Sequence, residues 1–505
     1  MRWRSSAVAL FAVAFSACHA SPQVRLKPDA TSGADATSRA DATSVPGTAS
    51  GALQHDIDAL VHDPALARST WGIVARSLRT NETFYSLNPH TLLIPASAMK
   101  LVTVAAAVER LGWDFTFRTR LVATGTIGDG VLHGDLVVVG SGDPSIVERD
   151  GMASRLFDGW ADQLKAAGIT AIDGRIVGDG RVFDDPPLGF GWSWDDLAAG
   201  FAAGISGLQY NENRVDVTVA PGATLGAPAE VAPVSAASGL LVTNHVTTGT
   251  QRRIAVHRFP GGSRLELRGV VPLNGAPSTL SVSVDRPAQF FVSALRDALV
   301  ARGIDVRGRA VDIDEISDAP SLAGGMTVVD YPSPPLSALL VAPMKFSVNL
   351  YEETLLKTLG AWAGAPNAAS GRSAARAVLE QWGIPSGDVI QMDGSGLSRY
   401  DYATADALAA VLAHVDRDDR LRGPFEALLP VAGRDGTLAG RFRGSPLEGR
   451  MRAKTGSMAN VRSLAGYATT AGGESIVFAI IVNGFDAPSD IVSHTIDSIV
   501  LRLTQ

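Results

Sequence analysis

Two short runs near the start of the folded region, "WGIVARSL" and "ETFYSL", alternate apolar and polar residues around Arg79 to Asn81. A period of two predicts a pair of strands joined by a turn. The stretch "SAMKLVTVAAAVERLG" follows, rich in helix formers, with Pro95 before it and Gly112 closing it. Proline at the start and glycine at the end predict a helix between them. From Thr116 to about Pro334 the pattern changes to short β-like runs: "RTRLVAT", "GDLVVVGSG", "GRIVGDGRVF", "NRVDVTVAPG", "RRIAVHRF", "SRLELRGVV", "TLSVSV" and "RGRAVDI". Within this region only "ASRLFDGWADQLKAAG" and "AQFFVSALRDALVARG" carry helical spacing.

Beyond Leu336 the helical pattern returns in "LSALLVAPMKFSVNLYEETLLKTLGAW", "GRSAARAVLEQWG" and "ATADALAAVLAHV". Three strand patterns then follow in "GRMRAKTGSM", "RSLAGYATT" and "SIVFAIIVNGF". A last amphipathic helix carries apolar residues at Ile491, Val492, Ile496, Ile499, Val500 and Leu503. Strands at both ends with helices between predict an α/β (α+β) fold: one antiparallel sheet flanked by helices, interrupted by a large β-rich insertion. The expected organisation is a signal segment over 1–20, a linker over 21–51, a catalytic domain split between 52–115 and 335–505, and two nested subdomains over 116–334.

The N-terminus reads as a processing signal. Arg2 and Arg4 precede an apolar run, Ala7 to Ala17, too short to span a bilayer as a helix. Cys18, the one cysteine of the chain, ends that run. It cannot form an internal disulfide. "FSAC" resembles a bacterial lipoprotein signal, in which the cysteine is lipidated; cleavage in or after "ACHAS" is the alternative. Residues 21–51 hold the near-repeat "DATSGADATSRADATSVPG", which has no apolar period with which to build a core. These features predict export to the periplasm, with lipid attachment as the only membrane link.

The formal net charge of the 505-residue chain is −7 and no basic run stands out, which disfavours nucleic acid as a partner. Only six of the 44 Lys and Arg residues are lysine. Ordinary surface charge is thus carried by arginine, and each lysine asks for a reason. Arginine keeps its proton in proteins, whereas a buried lysine can lose it.

Three motifs occur in order: Ser97-x-x-Lys100, Ser347-Val348-Asn349 and Lys454-Thr455-Gly456. At i and i+3 on a helix, Ser97 and Lys100 share a face. Ser97 in the first turn would sit among free N–H groups that favour negative charge. A neutral amine beside a hydroxyl is a base beside a nucleophile. Neutrality near pH 7 requires burial or a nearby cation, and Lys454 is a candidate for that cation. The plain alternative is a solvated Lys100 and a helix-capping Ser97. A second SxN, Ser86-Leu87-Asn88, lies in a turn before a proline and reads as structural. The nine histidines show no HExxH or other ligand spacing, so no metal or other cofactor is expected, and no GxSxG elbow is present.

With these motifs the chain resembles the class C low-molecular-mass penicillin-binding D-alanyl-D-alanine carboxypeptidases/endopeptidases, peptidase family S13. "LVVVGSGDPSI", "GWSWDDL", "GLQYNENRVDVTVAPG", "DGSGLSR" and "RDGTLAGRF" extend the resemblance from about Asp56 to the C-terminus, and Val348 departs from the aspartate common in the second motif. The resemblance implies a penicillin-binding/β-lactamase-like serine transpeptidase fold. It implies Ser97 as nucleophile, Lys100 as base, Ser347 and Lys454 in proton transfer to the leaving amine, and Asn349 orienting Lys100. Lys454, Thr455, Gly456 and Ser457 would hold the substrate carboxylate, with the N–H groups of Ser97 and Ser457 as oxyanion hole. Trp192, Asp195 and Arg399 would contact the stem-peptide side chain, although on residue type alone the tryptophan fits the core equally and the charges fit a solvated surface. Lys345 reads as a solvated helix-end charge, with a place beside the site as the alternative, and Asp143 reads as a turn residue. The implied partners are peptidoglycan stem peptides, with β-lactams as covalent inhibitors. A serine β-lactamase or esterase on the same scaffold, or a catalytically idle peptidoglycan-binding protein, are the competing readings.

Overall fold

The computed structural model describes residues 48–505 except 185 and 233; the signal segment, Cys18 and most of the 21–51 linker lie outside the described residues. Its five-stranded antiparallel sheet joins the two ends of the chain. The order is Arg452–Met458, Val461–Thr469, Ser475–Asn483, Thr70–Ser77, Thr83–Leu87. Thr70–Ser77 pairs with Ser475–Asn483 over its full length, from Thr70 opposite Asn483 to Ser77 opposite Ile476. The central strand explains the layering. Val477, Ala479 and Ile481 enter one apolar cluster, and Ile476, Phe478, Ile480 and Val482 enter another. A strand covered on both faces must be apolar at every position, as "IVFAIIV" is.

The first cluster is built on helix Met99–Leu111, buried continuously from Met99 to Val108. A helix apolar all round belongs inside, and this one is enclosed by helices Asn349–Trp362, Ala368–Gln381 and Ala405–Arg417. The second cluster holds the terminal helices Thr48–Val61 and Ser489–Leu503 against the opposite face of the sheet. Helix Thr48–Val61 starts inside the stretch assigned to linker. Its apolar residues Leu53, Ile57, Leu60 and Val61 follow helical spacing and dock on this cluster. Removing the buried side chain with Ile57→Ala should cost about 2–5 kcal/mol. An unchanged melting temperature would refute that docking.

Residues 118–332 supply three further sheets. The largest has seven strands, and helices Met152–Ala166 and Pro287–Ala301 share its core. The two three-stranded sheets share a smaller core with Phe290. Two of the longer strands of this region have no counterpart in the sequence pattern, Leu241–Gly249 and Met326–Pro332. Leu241–Gly249 reads "LVTNHVTTG", and only Val246 and Thr248 are buried, so its apolar signal is thin.

Two further expectations change. "LSALLVAPMKFSVNLYEETLLKTLGAW" is three helices, Leu336–Leu339, Val341–Phe346 and Asn349–Trp362. The break falls at Ser347, which adopts a left-handed conformation (φ 61°) with neither glycine nor proline to announce it. In the last helix Ile491 is exposed while Val492, Ile496, Ile499, Val500 and Leu503 are buried. Among the described residues no helix is long and apolar enough to cross a membrane.

Candidate active site

The three motifs converge where the sheet edge meets the helical layer. Ser97 lies in the short 3-10 turn Ala96–Ala98, directly before helix Met99–Leu111. Ala96 is left-handed (φ 48°), an uncommon state for a residue with a side chain. The break at Ser347 lets Ser347 and Asn349 leave adjacent helix ends toward the same space. Arg452–Met458, the outer strand of the sheet, brings Lys454 to Gly456 alongside. Ser97, Ser347 and Thr455 are half-buried, Ser457 is exposed, and Lys100 and Lys454 are both 0% exposed.

The nitrogen of Lys100 has three neighbours: Ser97 Oγ at 2.9 Å, Asn349 Oδ1 at 2.6 Å and the Ser395 carbonyl at 2.8 Å. The last two can only accept. The Asn349 amide is oriented by its other end, because Nδ2 donates to the Phe201 carbonyl at 2.8 Å. A neutral amine has two N–H bonds and one lone pair. In a neutral Lys100 the two acceptors would use the N–H bonds, leaving the lone pair for the Ser97 hydroxyl. Burial pulls the Lys100 pKa down, against the charges of Glu352, Asp393, Glu353 and Asp401. Lys100 is therefore not a solvated charge, and Ser97 makes no capping hydrogen bond.

Lys454 donates to Ser347 Oγ at 2.8 Å and to its neighbour's carbonyl, that of Thr455, at 2.9 Å. Its pKa falls well below the usual lysine value through burial and then through the charge of Lys100. Gly456 lets this strand approach Ser97. A Cβ there would lie 2.6 Å from the Pro95 carbonyl and 3.1 Å from the Ser97 nitrogen. Ser463, opposite Gly456, donates to the same Pro95 carbonyl at 2.6 Å. Thr455 Oγ1 donates to Thr437 Oγ1 at 2.8 Å, which places the "RDGTLAGRF" loop beside the strand. Lys345 in that neighbourhood is not solvated; it ion-pairs with Asp435 and donates to the Leu429 carbonyl.

The loop from Asp393 to Asp401 gave almost no sequence signal for its part here. It supplies the Ser395 carbonyl to Lys100, and buried carboxyls fix its path. Glu353 accepts from the N–H groups of Gly394 and Ser395. Asp393 accepts from Ser395, Gly396 and Ser398 N–H groups and from Trp192 Nε1 at 2.8 Å. Burial raises the Glu353 pKa to about 8. Asp401 rises well above the usual range through burial and the charge of Asp393. Backbone carbonyls and N–H groups belong to every residue, so no motif marks them.

The remaining candidates gather at one rim. Trp192 is half-buried and tied to Asp393. Asp195 and Trp194 are exposed. Arg399 donates through its backbone N–H to the Gly191 carbonyl and through its guanidinium to the Ala459 carbonyl at 3.0 Å. Its charge acts on Asp196, whose pKa burial and Asp195 raise. Exposed Phe190 packs on exposed Tyr400, ring centroids 5.6 Å apart. Asp143 is a turn residue as expected, accepting from Ser145 N–H and Oγ, but it is buried and its pKa is pushed up to about 6.

The chain as a whole is similar to known proteins. The chain is 33% identical over 477 residues to the D-alanyl-D-alanine carboxypeptidase of Actinomadura sp. (strain R39), covering 90% of this chain and 86% of that protein. It is 29% identical over 439 residues to the D-alanyl-D-alanine carboxypeptidase DacB of Haemophilus influenzae, covering 85% and 88% of the two chains. The crystal structure of penicillin binding protein 4 (dacB) from Haemophilus influenzae superposes with a TM-score of 0.76 at 27% identity, over 89% of this chain and 97% of that one. The profile of the D-Ala-D-Ala carboxypeptidase 3 (S13) family matches residues 53–505. With that match over nearly all of the described residues, the chain belongs to the D-Ala-D-Ala carboxypeptidase 3 (S13) family of serine peptidases.

Proposed function

We propose that Ser97 is the nucleophile with which this chain hydrolyses peptidoglycan stem peptides, both at terminal D-Ala-D-Ala and at D-alanyl crosslinks. The observation that carries the reading is the balance of donors and acceptors at Lys100, which leaves its lone pair for the Ser97 proton. Lys100 takes that proton as Ser97 Oγ attacks the carbonyl carbon of the penultimate D-alanine. The peptide C–N bond then breaks, and the departing amine receives a proton through Ser347, whose hydroxyl is bonded to Lys454. The N–H groups of Ser97 and Ser457 hold the oxyanion. Lys454, Thr455 and Ser457 hold the terminal carboxylate, with Gly456 giving the strand its approach. Water attacks the acyl-enzyme, the Ser97–acyl bond breaks, and the hydroxyl recovers its proton.

The same chemistry makes β-lactams covalent inhibitors: the ring carbonyl acylates Ser97, and the tethered leaving group stays in the site. The rim formed by Trp192, Asp195 and Arg399 receives the stem-peptide side chain, its exposed acid and its arginine suiting a group that carries both an amine and a carboxylate. Residues 116–334 form an insertion into a catalytic domain split between 52–115 and 335–505. The signal segment exports the chain to the periplasm, and Cys18 carries a lipid anchor. The support is the charged start, the short apolar run and the placing of the one thiol.

Fluorescent penicillin and a D-alanine-release assay on a muropeptide test the reading together. The wild type should form a stable adduct and release D-alanine, and Ser97→Ala should do neither. An adduct that survives in Ser97→Ala would overturn it. Rapid β-lactam turnover without peptide cleavage would point to a β-lactamase instead.

A further inference from the structure

Glu352 lies one helical turn beyond Asn349 in helix Asn349–Trp362, so the two share a helix face. Its side chain is 0% exposed, and neither carboxyl oxygen has a hydrogen-bond partner among the described residues. The neighbouring buried acids differ. Glu353 and Asp393 each bind several backbone N–H groups and so shape the loop that feeds Ser395 to Lys100. Glu352 shapes nothing by hydrogen bonding, yet a buried unpartnered carboxyl is costly and needs a reason. The groups whose charge reaches it are Lys100, on the helix opposite, and Lys454, on the outer strand.

We propose that Glu352 is a positioning residue that acts through charge: it is the shared counter-ion of Lys100 and Lys454 and sets the pH range in which the pair carries a single proton. The inference rests on the acyl-transfer reading above and adds a residue to it. Each lysine alone is strongly disfavoured as a cation by burial, and each repels the other's charge. Glu352 heads the charges that act against burial at Lys100, ahead of Asp393, Glu353 and Asp401, and it is the one carboxyl acting on Lys454. Burial itself pushes Glu352 up to about 7, so its charge grows as pH passes through neutrality. Losing that charge lowers both lysine pKa values, because in each case the carboxylate favours the protonated amine. The ascending limb of activity, where the pair loses its first proton, and the descending limb, where it loses its second, should then move the same way.

The test is the pH profile of kcat/KM for D-alanine release by the full chain, in the wild type and in Glu352→Gln. The amide keeps the shape and removes the charge. Both limbs should slide toward acid by about one pH unit, so the variant loses about tenfold against wild type on the alkaline side and gains on the acid side. Glu352→Asp, which retains a carboxylate, should lie between the two. A profile of unchanged position and lower height would assign Glu352 a structural role and overturn the proposal. Normal acylation by fluorescent penicillin with the adduct trapped would make Glu352 the base for deacylation, which also overturns it. If the amide variant fails to fold, Glu352→Met serves as the uncharged replacement, with the same shift expected. Failure of the acyl-transfer reading is separately visible, as labelling of Ser97→Ala.

Discussion

Lys100→Arg should reduce D-alanine release by about 10⁴-fold, and Lys100→Met should do no better. The two substitutions separate charge from basicity. Arginine keeps a cation one turn from Ser97 and still offers donors to Asn349 Oδ1 and the Ser395 carbonyl, but it cannot give up a proton in a protein. Methionine keeps the length and removes every polar atom. If Lys100 served only to tie the helix to Asn349 and to the 393–401 loop, arginine would restore part of the activity. If Lys100 must present a lone pair, neither variant works. The measurement is single-turnover acylation by fluorescent penicillin alongside D-alanine release, with the melting temperature recorded for both proteins. Substantial turnover by Lys100→Arg would rule out Lys100 as the base.

The relation between Ser97 and Lys100 was legible in the sequence because it is local. A spacing of three on a helix puts both on one face, and the helix announced itself through Pro95, Gly112 and the apolar run between. The sheet was legible for a related reason: "SIVFAIIVNGF" is apolar at nearly every position, which a strand covered on both faces requires. The union of Lys454 with Ser347 was not local. Only the order of the motifs and the family resemblance suggested it, because no spacing rule connects residues 107 apart. The third layer of the site was not legible at all. The Ser395 and Phe201 carbonyls are backbone groups, and Glu352 and Glu353 read as an ordinary acidic pair within a helix. Likewise Ser347 is the hinge of the second motif, but a left-handed serine carries no mark that distinguishes it from a helical one.

The buried charges also bear on why lysine stands at positions 100 and 454 in a chain that otherwise prefers arginine. The charges of Glu352, Asp393, Glu353 and Asp401 act on Lys100, and that of Glu352 acts on Lys454; all four carboxyls are buried. The raised pKa values of Glu352, Glu353 and Asp401 show that burial opposes the anions as it opposes the cations. Strongly interacting sites lose their protons in steps that belong to the group rather than to single residues. Two arginines in these places would fix two positive charges and remove that freedom.

Gly456→Ala tests the other half of the geometry, the close passage of the outer strand past the nucleophile. A single methyl at this position would lie 2.1 Å from Ser463 Oγ, 2.6 Å from the Pro95 carbonyl and 3.1 Å from the Ser97 nitrogen. The serine hydroxyl can rotate away, but the carbonyl belongs to the backbone that carries Ala96 and Ser97. Either the strand retreats from Ser97 or the turn at Ala96, already left-handed, distorts. Both outcomes separate the Ser97 and Ser457 N–H groups that the mechanism assigns to the oxyanion, and loss of one such donor costs about 10²–10³ in rate. We therefore expect acylation to slow by at least about 10²-fold, with kcat more affected than KM. Adding Ser463→Ala removes the nearest clash but leaves the Pro95 contact, so it should restore little. If Gly456→Ala acylates at the wild-type rate, the approach of strand to nucleophile is looser than 2.6 Å implies, and the oxyanion must be held elsewhere.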